Sequence, residues 1–341
     1  MGRIKVLIVD DSPLFREFLI KGLEEDDAFE VVGTAGDPYE ARDNIIKYNP
    51  DVMTCDIEMP RMDGIEFVTK LIPQYPIPVV MISSLSDKVF DALNAGAVDF
   101  VAKPSGGRAD MDEFVKYQLL PKIKAAANAK LRSLPRTDVK KYTYNRTLDT
   151  SKYIIAIGAS TGGSEAICEI VKSLDNDLPG IVVTQHIPEK FSTMFAERLN
   201  RQSKINCKEA EDGDIVKAGW LYVAPGDRQM KVVKVGSSYK LLCRGTDKVN
   251  GHCPSVDVLF ESVAEAAGKD AMGIILTGMG NDGAKGLLKM KEAGATTIGQ
   301  DKGTCVVYGM PMEAYKLGAV KHQLPLNEIP RKMEQLLARI K

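Results

Sequence analysis

KYIIAIGASTGGSEAICEIVK, residues 152–172, runs from an apolar segment through a glycine turn into an amphipathic helix. Lys152–Ile157 has the β-branched run of a buried strand. Gly158-Ala159-Ser160-Thr161-Gly162-Gly163 breaks it, and helical periodicity follows from Ser164 to about Lys172. Strand, tight turn and helix form the repeating unit of a parallel sheet covered by helices on both faces. The same alternation continues downstream, where the apolar runs Gly180–Thr184, Met272–Leu276 and Thr296–Gly299 each stop at polar residues.

Upstream it recurs five times. The apolar runs Ile4–Val9, Val31–Ala35, Val52–Cys55, Val79–Ile82 and Phe100–Ala102 are separated by helical patterns such as Pro13–Glu25 and Asp87–Ala95. Ligands of such sheets sit beyond the carboxyl ends of the strands, and there the polar residues collect. Asp10 and Asp11 close the first run, Asp56 the third, Ser83 and Ser84 the fourth, and Lys103 the fifth. Three carboxylates at one sheet edge repel unless a cation joins them, and Mg²⁺ prefers oxygen ligands. Asp56, alone on its strand, is the candidate nucleophile toward a phosphoryl group. Asp10 and Asp11 would hold the metal, with the backbone carbonyl of Glu58 completing its shell.

The turn at Gly158-x-Ser160-x-Gly162 has the spacing of a nucleophile elbow, with a serine exposed at a helix N-terminus. A glycine-rich strand-to-helix turn also binds phosphate, so the spacing alone leaves both readings open. Of the three histidines, His186 stands at the end of the next strand, where it can meet Ser160. His252 lies in the glycine-flanked segment Val249–Ser255, and His322 follows Val320 near the C-terminus. Asp282, after the run Met272–Leu276, can orient the imidazole of His186. The chain order Ser, His, Asp differs from that of α/β-hydrolases. A rival occupies the same residues: Gly278-x-Gly280-x-x-Gly283 matches a dinucleotide fingerprint, with Asp301 placed to hold a ribose.

A length of 341 residues suggests two domains. The division expected is 1–125, a linker over 126–150, and 151–341. The linker carries Lys130, Arg132, Arg136, Lys140, Lys141 and Arg146 with few aliphatic residues, as a solvated connection would. Net charge is −1, and residues 151–341 hold 25 Lys+Arg against 22 Asp+Glu, which argues against nucleic-acid binding. No run reaches the roughly 18 apolar residues of a membrane span, and the N-terminus enters a strand directly, so no membrane insertion and a cytoplasmic location are expected. The six cysteines show no CxxC pair and read as small buried hydrophobes.

The strand-end set in residues 1–125 resembles the receiver domain of two-component response regulators. That resemblance implies Asp56 as phosphoacceptor, Ser83 (or Ser84) as switch hydroxyl, Phe100 as switch aromatic, Lys103 as phosphate partner, and a histidine kinase as phosphodonor. Ile157–Gly163, Gln185-His186-Ile187-Pro188 and Leu276–Ala284 resemble the three signature segments of the chemotaxis protein-glutamate methylesterase family. This implies two doubly wound parallel-sheet domains, a flavodoxin-like receiver and a Rossmann-like three-layer hydrolase. It implies Ser160 as nucleophile, His186 as general base, Asp282 as orienting acid, and the Thr161 and Met279 N–H groups as oxyanion hole. The substrates implied are glutamyl methyl esters of chemoreceptors, with deamidation of receptor glutamines alongside. The esterase reaction needs no cofactor on this reading.

Overall fold

In the computed structural model the chain divides into two compact units, Met1–Ser133 and Leu134–Lys341. The structure describes residues 2–84, 88–104, 106, 108–130 and 152–338. Most of the expected linker, and the start of the helix expected from Asp87, lie outside the described residues.

The first unit is a five-stranded parallel sheet of β1 (Ile4–Val9), β2 (Phe29–Ala35), β3 (Val52–Asp56), β4 (Val79–Ser83) and β5 (Asp99–Ala102). Their order, β2-β1-β3-β4-β5, is the flavodoxin-like 2-1-3-4-5 order. β3 and β4 are buried throughout, as central strands covered on both faces must be. Ser12, Asp37 and Asp63 cap the helices that follow β1, β2 and β3 by accepting from backbone N–H groups of the first turn. The last helix, Leu120–Ala127, runs two residues past the expected boundary at 125, since Ala125, Ala126 and Ala127 continue it readily.

The second unit contains β6 (Ile154–Ala159), β7 (Gly180–Gln185), β8 (Asn206–Glu209), β9 (Trp220–Val223), β10 (Met230–Val235), β11 (Ser238–Cys243), β12 (Ala271–Ile275), β13 (Thr296–Gln300) and β14 (His322–Leu324). Seven of them form a sheet in the order β14-β13-β12-β6-β7-β9-β8, parallel at every pairing. With β8 set aside at its edge, this is the 3-2-1-4-5-6 order of a Rossmann sheet, and its switch point lies between β6 and β12. β10 and β11 form a separate antiparallel hairpin. The helix Val256–Ala267 lays Val256, Leu259, Phe260 and Val263 into the core. It sits directly on β6: a Cβ added at Gly158 would lie 2.1 Å from Val256 Cγ1. That contact brings the N-terminus of this helix to the switch point.

Candidate functional sites

At the carboxyl edge of the first sheet, Asp10 and Asp56 are buried and Asp11 is exposed, and all three offer oxygens within 4.8 Å of one another. The Lys103 ammonium lies 2.8 Å from Asp10 Oδ2 and 2.5 Å from Asp56 Oδ2, occupying the place of a cation between two buried carboxylates. This hard, all-oxygen donor set fits Mg²⁺. Burial pushes the Asp56 carboxyl up to about 6 although Lys103 opposes the rise. The backbone N–H of the exposed Glu58 donates to Asp56 Oδ1 at 3.3 Å. Ser83 is fully buried with its Oγ unpartnered, whereas Ser84 is exposed. Phe100 is buried, edge-on to Phe90 at 6.0 Å.

In the second unit the three expected residues stand at the ends of β6, β7 and β12, the sheet's central strands. Ser160 leaves β6 in a tight turn whose Gly163 N–H donates to the Ser160 carbonyl at 2.7 Å. Gly162 takes φ +75°, a conformation a side chain would strain, and lies against Val306. Ser160 N–H donates to Thr277 O at 3.0 Å, and His186 N–H to Ala159 O at 3.2 Å, so the three strand ends are tied together. Gln185 Nε2 donates to the Ser160 carbonyl at 2.9 Å and to that of His186 at 3.4 Å.

His186 Nε2 lies 2.9 Å from Asp282 Oδ2. Asp282 is 1% exposed and also accepts from Asn250 Nδ2 and Ser255 Oγ, each at 2.8 Å, and from the N–H groups of Val256 and Asp257 at 2.7 and 3.2 Å. Burial would raise its pKa. The hydrogen bond and charge of His186, with the Asn250 and Ser255 donors, outweigh that and hold the carboxyl well below the usual range. An ionised carboxylate can only accept, so His186 Nε2 is the donor in this contact. Nδ1 is buried without a hydrogen-bond partner.

Two glycines of the rival fingerprint, Gly278 and Gly283, serve packing, whereas Gly280 takes φ +88° with open space where a Cβ would lie. A Cβ at Gly278 would lie 2.7 Å from Ser160 Cβ and 2.3 Å from Met310 Sδ, and one at Gly283 2.4 Å from Val256 Cγ1. Asp301, the residue placed to hold a ribose, accepts instead from Thr304 N and Oγ1 at 2.9 and 2.6 Å within its own turn. Thr161 follows the serine with its carbonyl held by Thr277 Oγ1 at 3.0 Å, and Met279 adjoins Gly278.

Residues 155–333 match the family model described as CheB methylesterase, and residues 6–116 that of the response regulator receiver domain. The chain belongs to the CheB methylesterase family. This CheB methylesterase chain is 56% identical over 339 residues to the protein-glutamate methylesterase/protein-glutamine glutaminase 2 of Syntrophomonas wolfei, covering 99% of this chain and 98% of that protein. It is 45% identical over 344 residues to the Salmonella typhi protein-glutamate methylesterase/protein-glutamine glutaminase, covering 100% and 98%. The crystal structure of the Thermotoga maritima CheB methylesterase catalytic domain superposes with a TM-score of 0.53 at 40% identity, covering 55% of this chain and 99% of that one. Within this CheB fold the sequence reading missed Asn250, Ser255 and the backbone around Val256, which together fix Asp282. Their one local signal was Asn250-Gly251, a tight-turn pair that brings a polar loop back on itself. His252, which the sequence placed only in the glycine-flanked segment Val249–Ser255, lies with its ring stacked on that of His186.

Proposed function

We propose that this chain hydrolyses glutamyl methyl esters on chemoreceptors and deamidates receptor glutamines, with Ser160, His186 and Asp282 as its triad and phosphorylation of Asp56 as its control. The observation that carries this reading is the 2.9 Å contact of Asp282 with Nε2 of His186, with Nδ1 lacking a partner beside the strand end that bears Ser160. Residues 1–125 are then the receiver, 126–150 the linker and 151–341 the esterase.

Ser160 Oγ attacks the γ-carbonyl carbon as its proton passes to His186 Nδ1. The oxyanion is received by the N–H groups of Met279 and of Thr161, whose carbonyl is held by Thr277 Oγ1. Methanol leaves with the proton from His186. Water, deprotonated by the same nitrogen, then opens the acyl-enzyme to glutamate. A glutamine follows the same steps with ammonia as the leaving group. Throughout, Asp282 stays ionised and holds the imidazolium.

In the receiver, Asp56 accepts the phosphoryl group from a histidine kinase, while Ser83 and Lys103 bind its oxygens and Phe100 repacks. Asp10, Asp11, Asp56 and the Glu58 carbonyl would hold Mg²⁺, which would supply the positive charge that lets these groups share one site.

The test is release of methanol from methyl-labelled receptor membranes. Ser160→Ala should lose at least about 10³-fold in rate, since triad members act as a unit. Near-parental hydrolysis by a folded Ser160→Ala protein sinks the serine mechanism.

A further inference from the structure

The imidazoles of His186 and His252 lie face to face, with centroids 3.6 Å apart and planes within 12°. Ring pairs in proteins ordinarily settle at centroid separations of about 4.5–7 Å, offset or edge-on, so this overlap is held by its surroundings. The holder is a two-residue turn. Val249 N–H donates to His252 O, and His252 N–H to Val249 O, each at 2.9 Å. The central residues Asn250 (φ 53°) and Gly251 (φ 82°) are both left-handed, as a type I′ turn requires. Gln229 Nε2 anchors the His252 carbonyl at 3.2 Å.

The same turn reaches the acid. Asn250 Nδ2 donates to Asp282 Oδ1 at 2.8 Å and to Asp257 Oδ2 at 2.7 Å. One tight turn therefore touches the triad acid through its second residue and the triad base through its fourth. Asp282 fixes only the Nε2 end of the His186 ring, and a ring held at one point can still rotate about that bond. A flat group against its face removes the rotation.

We propose that His252 is a positioning residue for the esterase reaction: stacked on His186, it fixes the plane in which Nδ1 meets the Ser160 hydroxyl. The assignment rests on the triad reading above. Its chemistry is that of a π face. A neutral ring so placed also attracts the imidazolium that forms when His186 takes the serine proton. Both effects act on the chemical step and not on receptor binding, so the consequence belongs in kcat.

The test uses the full-length chain on methyl-labelled receptor membranes, with Ser160→Ala beside it. His252→Ala should lower kcat about 10- to 100-fold, the scale of a misplaced catalytic group, and change KM less than about twofold. His252→Phe, which keeps a flat ring, should recover most of kcat, whereas His252→Gln, similar in length but without a ring, should not. An unchanged kcat in His252→Ala, or a loss carried by KM alone, overturns the assignment. Equal rates for His252→Phe and His252→Gln overturn it too, and that comparison decides the matter where His252→Ala does not fold. An inactive Ser160→Ala protein beside an unaffected His252→Ala protein rejects the positioning role alone. An active Ser160→Ala protein rejects the triad beneath it.

Discussion

Asp282 shows how much of a single residue's role sequence can carry. Its place after a buried strand and before a helix made it a candidate partner for His186, and its Oδ2 lies 2.9 Å from His186 Nε2. What the sequence hid is why the carboxylate stays charged when 1% exposed. Four of its five donors come from residues 250–257, a segment whose approach depends on the helix Val256–Ala267 crossing β6, and no local pattern announces a crossing. Asp282→Asn should retain the fold and lower kcat about 10⁴-fold, because an amide no longer dictates which ring nitrogen bears the proton. Single-turnover methanol release measures it, and a loss under about tenfold would remove Asp282 from the mechanism.

At the level of elements, the central strands of the second sheet were legible because they are covered on both faces. β6, β7 and β12 are buried at every position and read as continuous apolar runs. β8 (NCKE) and β14 (HQL) are short edge strands with mixed burial and carry no such run. The hairpin β10–β11 alternates weakly and packs one face on the helix Val256–Ala267. Pairing between helices was equally silent. Arg198, 3% exposed on the helix Phe191–Gln202, donates to Glu165 at 2.6 Å on the helix Gly163–Lys172. It thereby locks the element after His186 to the one after Ser160. Arg198→Ala should destabilise the second unit by roughly 3 kcal/mol by leaving Glu165 without its cation. Arg198→Lys should recover only part, lacking the guanidinium fork. Denaturant unfolding of the two variants tests this, and a shift below about 1 kcal/mol for Arg198→Ala contradicts it.

The whole molecule carries two sites of opposite electrostatic character. Asp282 is held charged by its neighbours, whereas burial raises Asp56 from 3.8 to about 6 despite Lys103. The folded receiver thus holds the Asp56 proton more tightly than the unfolded chain does. Without metal, its stability should be greatest below about pH 4, fall as pH rises to about 6, and level off roughly 3 kcal/mol lower. Asp56→Asn should flatten that decline, and Mg²⁺ should raise the parent's melting temperature at pH 7 while leaving Asp56→Asn less affected. A parent whose receiver gains stability between pH 4 and 6 would show that the carboxylate is not the strained form. Control of the esterase is testable on the same scale. A chain beginning near Asp149 should hydrolyse receptor esters faster than the unphosphorylated full-length protein, and phosphorylation should accelerate only the latter. If the shorter chain is no faster, the receiver does not restrain the esterase.

The seven-stranded sheet is built from its middle outward: its first strand, β6, ends between β7 and β12, and the His186–Asp282 contact spans 96 residues of chain. During synthesis Ser160 and His186 leave the ribosome long before Asp282 does. Contacts of such separation close late, after the cost of ordering a long loop has been met. Every nascent chain long enough to include Asp282 already includes all of the unit Met1–Ser133. Translation therefore supplies the unit Met1–Ser133 before Asp282, the last of the three residues proposed to act together.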